Sequence, residues 1–431
     1  MAPVLERYNG IWVGCNDSEQ SVPTVGSVTL HGVALAATLA KGFRRFANRT
    51  LWPALHGMGE HVEQREQWWE AYRAANEIFA GEVARIARRD ATVWVQDYHL
   101  LLVPAMLERL RPYLAIGLFI HTPVADPAMI AGLDRSDELL RAMSAVSLIG
   151  TQRVSDAEHL RLLLSTREQR GASWATRVQA HPVSIDVDRV VTLAQDPAVN
   201  ERAGWVRDRV AGGRRIILGV DRVDYTKGLQ QRLSAFEQLL ALGAVSPDDV
   251  VFIQIASPSR TDVPAYRELG RQLKTQADLI NTRYLSSKGP VVQLISDNVA
   301  FREVVAFYLA AEVAVVTPHR DGMNLVAKEF VTARGGDAVS LVLSVGAGAV
   351  DELGQHVVLV DSADTVDIAA AIYEALNTSD IDRRNRSSAL ARIVAARNVH
   401  DWADGFVNEL NRVGPTTDNH IIRTQAIATA Q

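Results

Sequence analysis

Cysteine is almost missing from this chain: Cys15 stands alone among 431 residues. That excludes an internal disulfide framework and any metal site built from several thiolates, and it predicts a reducing, cytoplasmic setting. Long hydrophobic runs are missing too. No stretch reaches the roughly eighteen uninterrupted apolar residues of a membrane span, and the opening "MAPVLERYNG" has no apolar run behind a basic start, so no secretory signal is expected. Nor is there a marked excess of one charge. The net charge is −5 and the basic residues are scattered, so the electrostatic footprint of a nucleic-acid binder is absent. Internal repeats and low-complexity tracts are not found.

What is present is apolar and alternating. Hydrophobic residues make up 48% of the chain, enough for more than one core, and the length favours two domains. Short β-branched runs precede longer helical patterns: "ATVWVQ" then "YHLLLVPAMLERLR", "AIGLFIH" then "SDELLRAMSAV", "RRIILGV" then "GLQQRLSAFEQLLAL". A second series comes after these in "DVVFIQIA", "PVVQLIS", "EVAVVT" and "SLVLSV". Such alternation predicts an α/β fold of βαβ units with parallel sheets covered on both faces. The bridge "HPVSIDVDRVVTLAQDPAVNERAGW" is polar and irregular around residues 181–195, which places the boundary between an N-terminal domain, 1–185, and a C-terminal domain, 186–396. The last residues, 414–431, read as a polar tail that frays. Ligands of doubly wound sheets bind beyond the carboxyl ends of strands, so functional residues are expected just after them.

Several polar clusters meet that expectation. In "GVDRVDYTKGLQQ", Arg222 and Lys227 follow a strand and could clamp a diphosphate, the first as a fork and the second as a point charge. The alternative is a pair of solvated cations bridged to Asp221 and Asp224. In "VVTPHRDGMNLVAKEF", an apolar strand runs into Arg320, Asp321 and Asn324 at a helix start, where free amides and the helix dipole favour an anion. Glu329, one turn further, could accept hydrogen bonds from ribose hydroxyls, or could be a salt-bridge or capping partner. "SVGAGAVDELG" is a third glycine-bearing strand-to-helix turn of the same anion-friendly kind. In the first half, Asp97, His99 and His121 follow strands and suit sugar hydroxyls, which need an acceptor and a neutral donor. His121 could equally be a satisfied core histidine. Trp52 could offer its face to a sugar or could simply be core. The "IDVD" at 185–188 falls in the bridge and reads as linker, and no metal site is predicted.

Taken in order and spacing, "VWVQDYHLLLVPAML", "GVDRVDYTKGL", "SPSRTDVPAY" and "TPHRDGMNLVAKEF" resemble the trehalose-6-phosphate synthase family, retaining glycosyltransferases of family 20, from about residue 51 to 410. The resemblance implies a GT-B fold, two Rossmann-like doubly wound domains facing across a cleft, with a last helix near 397–413 crossing back to the first domain. It implies transfer of glucose from a nucleotide-sugar donor to glucose 6-phosphate with retention and without a metal; the nucleotide sugar is a substrate and no cofactor is implied. Carried over by motif, Arg222 and Lys227 would hold the donor diphosphate and stabilise the leaving group. Asp321, Gly322, Met323, Asn324, Leu325 and Val326 would line the donor, Glu329 would bind the ribose, His121 would touch the donor sugar and Asp97 the acceptor. Trp52, Phe43 and Arg260 fall at acceptor positions. Attack would come from the front face, with the leaving phosphate oxygen taking the acceptor's proton.

The resemblance has departures. The family's opening strand, arginine and double-glycine loop have no counterpart, and "NGIWVGCND" matches the family's next segment. Where the family has a tyrosine on the acceptor phosphate, this chain has Phe43, which cannot donate that bond. The expectation is a retaining transferase with an altered acceptor, an oligosaccharide or an aminocyclitol-type sugar. The alternatives are a trehalose-6-phosphate synthase proper and a nucleotide-sugar-binding subunit without catalysis. Partners are expected to be the sugar substrates alone, with no nucleic acid and no membrane. The donor base cannot be read from the sequence, and a homo-oligomer stays open.

Overall fold

The computed structural model describes residues 1–16, 28–168, 176–414 and 425–429. They divide into two compact units, Met1–Val183 with Val399–Gln431 and Ser184–Asn398. The strands are β1 (Ile11–Asn16), β2 (Thr29–Ala34), β3 (Thr92–Gln96), β4 (Ala115–Ile120), β5 (Leu148–Thr151), β6 (Arg177–Ala180), β7 (Arg215–Arg222), β8 (Val250–Ser257), β9 (Val292–Ile295), β10 (Val313–Val316), β11 (Ser340–Ser344), β12 (Val358–Val360) and β13 (Gln425–Thr429). The fold is α/β, with two parallel Rossmann-like sheets.

The first unit holds a seven-stranded sheet in the order β2-β1-β13-β3-β4-β5-β6. Every residue of β3 is buried, as a central parallel strand requires when helices cover both faces. One cover is the helix Val399–Val413, whose Phe406 ring stacks on Trp94 of β3 at 4.4 Å while Trp402 lies 4.8 Å from the same indole. The slot for Phe406 is made by two missing side chains: a Cβ on Gly117 or Gly150 would come within 2.9 or 2.8 Å of its ring.

β13 runs parallel between β1 and β3, with Ala426 opposite Ile11 and Gln425 opposite Thr92. The expectation that the chain's last residues fray is corrected for 425–429; the remainder of that tail lies outside the described residues except for its first residue, Gly414. Without a strand in this slot both β1 and β3 would carry unpaired backbone groups, and a short segment suffices to satisfy them.

The second unit holds a six-stranded sheet in the order β12-β11-β10-β7-β8-β9. Numbered by appearance within this unit and read from the β9 edge, this is the doubly wound order 3-2-1-4-5-6, and its reversal point lies between β7 and β10. Ile217, Phe236, Phe252 and Val315 belong to its core. The bridge is also more regular than expected. Asp186 caps the helix Val187–Gln195 by accepting the Arg189 amide at 3.0 Å, so "IDVD" opens a helix rather than forming a linker. Asp196 then caps Pro197–Trp205, with proline at the first helical position. Among the described residues no helix is long and apolar enough to cross a membrane, and no three His, Cys or acidic side chains group as metal ligands.

Candidate active site

The reversal point of the second sheet gathers most of the chemistry. β7 ends in Asp221 and Arg222, and the chain then makes a tight turn, Tyr225–Lys227, before entering the helix Leu229–Ala241 through Gly228 at φ 65°. Glycine is required there: a Cβ would stand 2.3 Å from the Thr317 carbonyl oxygen. Asp224 is fully buried and caps the turn, accepting from the Thr226 amide at 3.1 Å and its hydroxyl at 3.0 Å. Arg222, half exposed, lies 3.5 Å from Asp224. Lys227 instead reaches across to the next strand end, where its Nζ meets Asp321 at 2.5 Å. The local pairing weighed as an alternative for the two cations therefore holds for Arg222 alone. Asp221 is paired with Arg232 at 2.6 Å; burial pushes its carboxyl up, and Arg232 and Lys227 oppose that.

After β10, the turn to the helix Leu325–Ala333 is held by Asn324, in the left-handed region at φ 77°. Its Oδ1 accepts the Ala327 amide at 3.4 Å and its Nδ2 donates to Asp321 at 3.1 Å. Gly322 and Met323 are buried, whereas Leu325 and Val326 keep partial exposure at the helix start. The glycine-bearing turn after β11 packs directly against this one. Two of its amides donate to the neighbouring turn, Gly348 N–H to Asp321 O at 3.1 Å and Ala349 N–H to Met323 O at 2.7 Å. Its glycines permit that approach, since a Cβ on Gly348 would sit 1.8 Å from Gly322 O. The third turn is thus a brace for the second.

Glu329 accepts a hydrogen bond from the Tyr308 hydroxyl at 2.8 Å. Burial raises its carboxyl above the usual range, while the Tyr308 bond and Arg189 pull it down. Arg260, at φ 45°, buries its guanidinium against Asp224 at 3.2 Å and the Tyr266 hydroxyl at 2.6 Å.

In the first unit, Asp97 follows β3 at φ 62° and ψ −178°, a region open essentially only to glycine. That strain aims its carboxylate at the end of β4, where Oδ1 accepts the His121 amide at 3.2 Å. The His121 ring is held from both sides. The Gln152 amide nitrogen lies 3.0 Å from Nδ1 while its oxygen accepts the Val183 N–H, so Nδ1 accepts and Nε2 donates to Gln96 at 2.8 Å. Burial pushes the ring's pKa down to about 4, so it is neutral at pH 7. Trp52 is buried with its ring 4.0 Å from His56 and 5.7 Å from Tyr98. Phe43 is 1% exposed, packed between Tyr72 and His99 at 5.8 and 6.2 Å.

Sequence reasoning missed Arg232, Tyr308 and the glutamines around His121. Arg232 did leave a signal: it sits at helical spacing from Leu229 and Phe236, on the face that is otherwise apolar.

Known proteins resemble the chain along nearly all its length. The profile of Glycosyltransferase family 20 matches residues 11–412. The trehalose-6-phosphate synthase of Mycobacterium avium is 38% identical over 96% of this chain and 89% of its own. Among solved structures, an alpha,alpha-trehalose-phosphate synthase (UDP-forming) from Burkholderia vietnamiensis superposes with a TM-score of 0.88 at 32% identity, covering 95% of this chain and 94% of that one. One from Burkholderia xenovorans in complex with glucose-6-phosphate superposes at 0.87 with 29% identity, covering 93% and 92%.

Proposed function

Because the chain belongs to glycosyltransferase family 20, we propose that it transfers glucose from a nucleotide donor to glucose 6-phosphate, forming trehalose 6-phosphate with retention and without a metal. The observation that carries this reading is the cluster at the β7/β10 reversal point, where Lys227, Asp321 and Asn324 meet just past two adjacent strand ends, with Glu329 in the helix that follows. Lys227 and Arg222 would hold the diphosphate, Glu329 the ribose, and Asp321 with the turn Gly322–Val326 the sugar. His121, neutral and fixed in one tautomer, is suited to a sugar hydroxyl, and the strained Asp97 to the acceptor. In the step itself the bond from the anomeric carbon to the diphosphate oxygen breaks and a bond to the acceptor hydroxyl forms on the same face. The acceptor's proton goes to the departing diphosphate, whose charge Arg222 and Lys227 stabilise.

The altered-acceptor reading rested in part on Phe43. That ring is enclosed by Tyr72 and His99, so its missing hydroxyl says little about a ligand, and relatives named for trehalose 6-phosphate favour glucose 6-phosphate. The test is transfer from UDP-, GDP-, ADP- and dTDP-glucose to glucose 6-phosphate, glucose or maltose, read by product mass, with NMR of the linkage and an EDTA control. The expected product is α,α-trehalose 6-phosphate, unaffected by EDTA and lost in Lys227→Ala. A product seen only with an unphosphorylated acceptor would restore the altered-acceptor reading, and silence with every pair would leave a binding subunit.

A further inference from the structure

The helix Leu229–Ala241 buries Leu229, Leu233, Phe236 and Leu240, and among them it buries Arg232 with no exposed surface at all. A guanidinium in that position is costly unless its charge and its N–H groups are satisfied, and an apolar residue of similar volume would often serve stability as well or better. Its contacts explain what it does there. Nη1 donates to Asp221 at the end of β7, at 2.6 Å. Nη2 donates to the backbone oxygen of Lys227 at 2.9 Å, and Nε to the Thr317 hydroxyl just past β10 at 2.7 Å. One rigid fork therefore ties the end of one strand, the turn carrying Lys227 and the end of the adjacent strand. Gly228 pressed against Thr317 and the His319 amide bonded to Thr226 O at 2.7 Å hold two of these segments, the turn and the end of the adjacent strand, together as well.

We propose that Arg232 is the positioning residue of the donor site, fixing the Lys227 peptide and hence the direction in which the Lys227 ammonium points, without touching substrate itself. The bond to Lys227 O sets the orientation of the 227–228 peptide, and with it the Cα–Cβ vector of the lysine. The contacts with Asp221 and Thr317 lock that turn to both strand ends, so the ammonium meets the β10 turn at one place. Lysine cannot substitute, because a single ammonium lacks the planar fork that reaches three segments at fixed angles.

The proposal rests on the reading of Lys227 as a donor ligand, and the experiment separates the two. Binding of UDP-, GDP- and ADP-glucose is titrated by calorimetry into the wild type, Arg232→Lys, Lys227→Ala and the double variant, with melting curves for each. If the wild type binds no nucleotide sugar, the donor-site reading falls and this one with it. If the wild type binds, Arg232→Lys is expected to weaken affinity about 10- to 100-fold, the scale of one or two charged hydrogen bonds. The same change in the Lys227→Ala background is expected to cost less than about threefold, because residues acting as one unit are not additive. Equal losses in both backgrounds, or unchanged affinity in a folded Arg232→Lys protein, would overturn the proposal. Should Arg232→Lys melt below the assay temperature, Thr317→Val carries the same cycle, since it removes only the Nε contact and keeps the side-chain volume. A loss that is additive with Lys227→Ala there overturns the proposal too.

Discussion

Burial and hydrogen bonding pull Glu329 in opposite directions, and burial wins. A carboxyl whose pKa is raised on folding takes up a proton relative to the unfolded chain, so its contribution to stability falls as pH rises from the ordinary carboxylate range through the raised value. Above that raised value the charged Glu329 is a local liability. Glu329→Gln, which keeps an acceptor for Tyr308, is therefore expected to raise the melting temperature by about 2–4 °C per kcal/mol gained while weakening donor binding at least tenfold. A variant that melts lower and binds normally would contradict both halves. His121 behaves in the reverse sense. Its pKa is depressed to about 4 by burial, so the unfolded chain binds the proton first. Its contribution is complete above the ordinary histidine value of about 6.5 and is lost as pH falls toward 4. Denaturant unfolding of His121→Gln, measured across that window, should show a flatter acid limb than the wild type.

At the scale of elements, the turn after β10 depends on the turn after β11. Gly348→Ala would drive a methyl group into the Gly322 carbonyl, and backbone cannot step aside as a flexible side chain can. The expected outcome is a destabilisation of about 1–3 kcal/mol with donor affinity reduced at least tenfold; normal binding in a destabilised protein would show that the brace does not shape the site. This scale also decides what was legible beforehand. Arg222, Lys227, Asp321 and Glu329 could be picked out because each follows an apolar run ending in a polar turn. That Lys227 pairs with Asp321 rather than with Asp221 or Asp224 could not be read, since it requires β7 and β10 to be neighbours. The "IDVD" stretch misled because its polarity suggested a linker, whereas Asp186 and the apolar spacing of Val187 and Val190 make a capped helix. The fold class was plain from alternation; β13 was not, because five residues inside a sheet need no periodicity of their own when both neighbours supply the pairing.

At the scale of the whole molecule, the helix Val399–Val413 returns to the first unit after the second is complete. Phe406→Ala empties the slot formed by Gly117 and Gly150 over Trp94, a loss of about 3–5 kcal/mol for a buried aromatic. Since the second unit has its own core, calorimetry should split into two transitions, the lower one belonging to the first unit, and nucleotide-sugar binding to Arg222 and Lys227 should outlast it. A single cooperative transition at reduced temperature would show instead that the units unfold together.

The same helix imposes an order on birth. During translation Trp94 and the strands β4–β6 leave the ribosome while Phe406 and the neighbouring strand β13 are still unmade, separated from them by the whole inserted unit, Ser184–Asn398. At synthesis rates of about 5–20 residues per second the nascent first-unit strands wait roughly 10–40 s with that apolar face unfilled. The segment that starts first is therefore the one that finishes last.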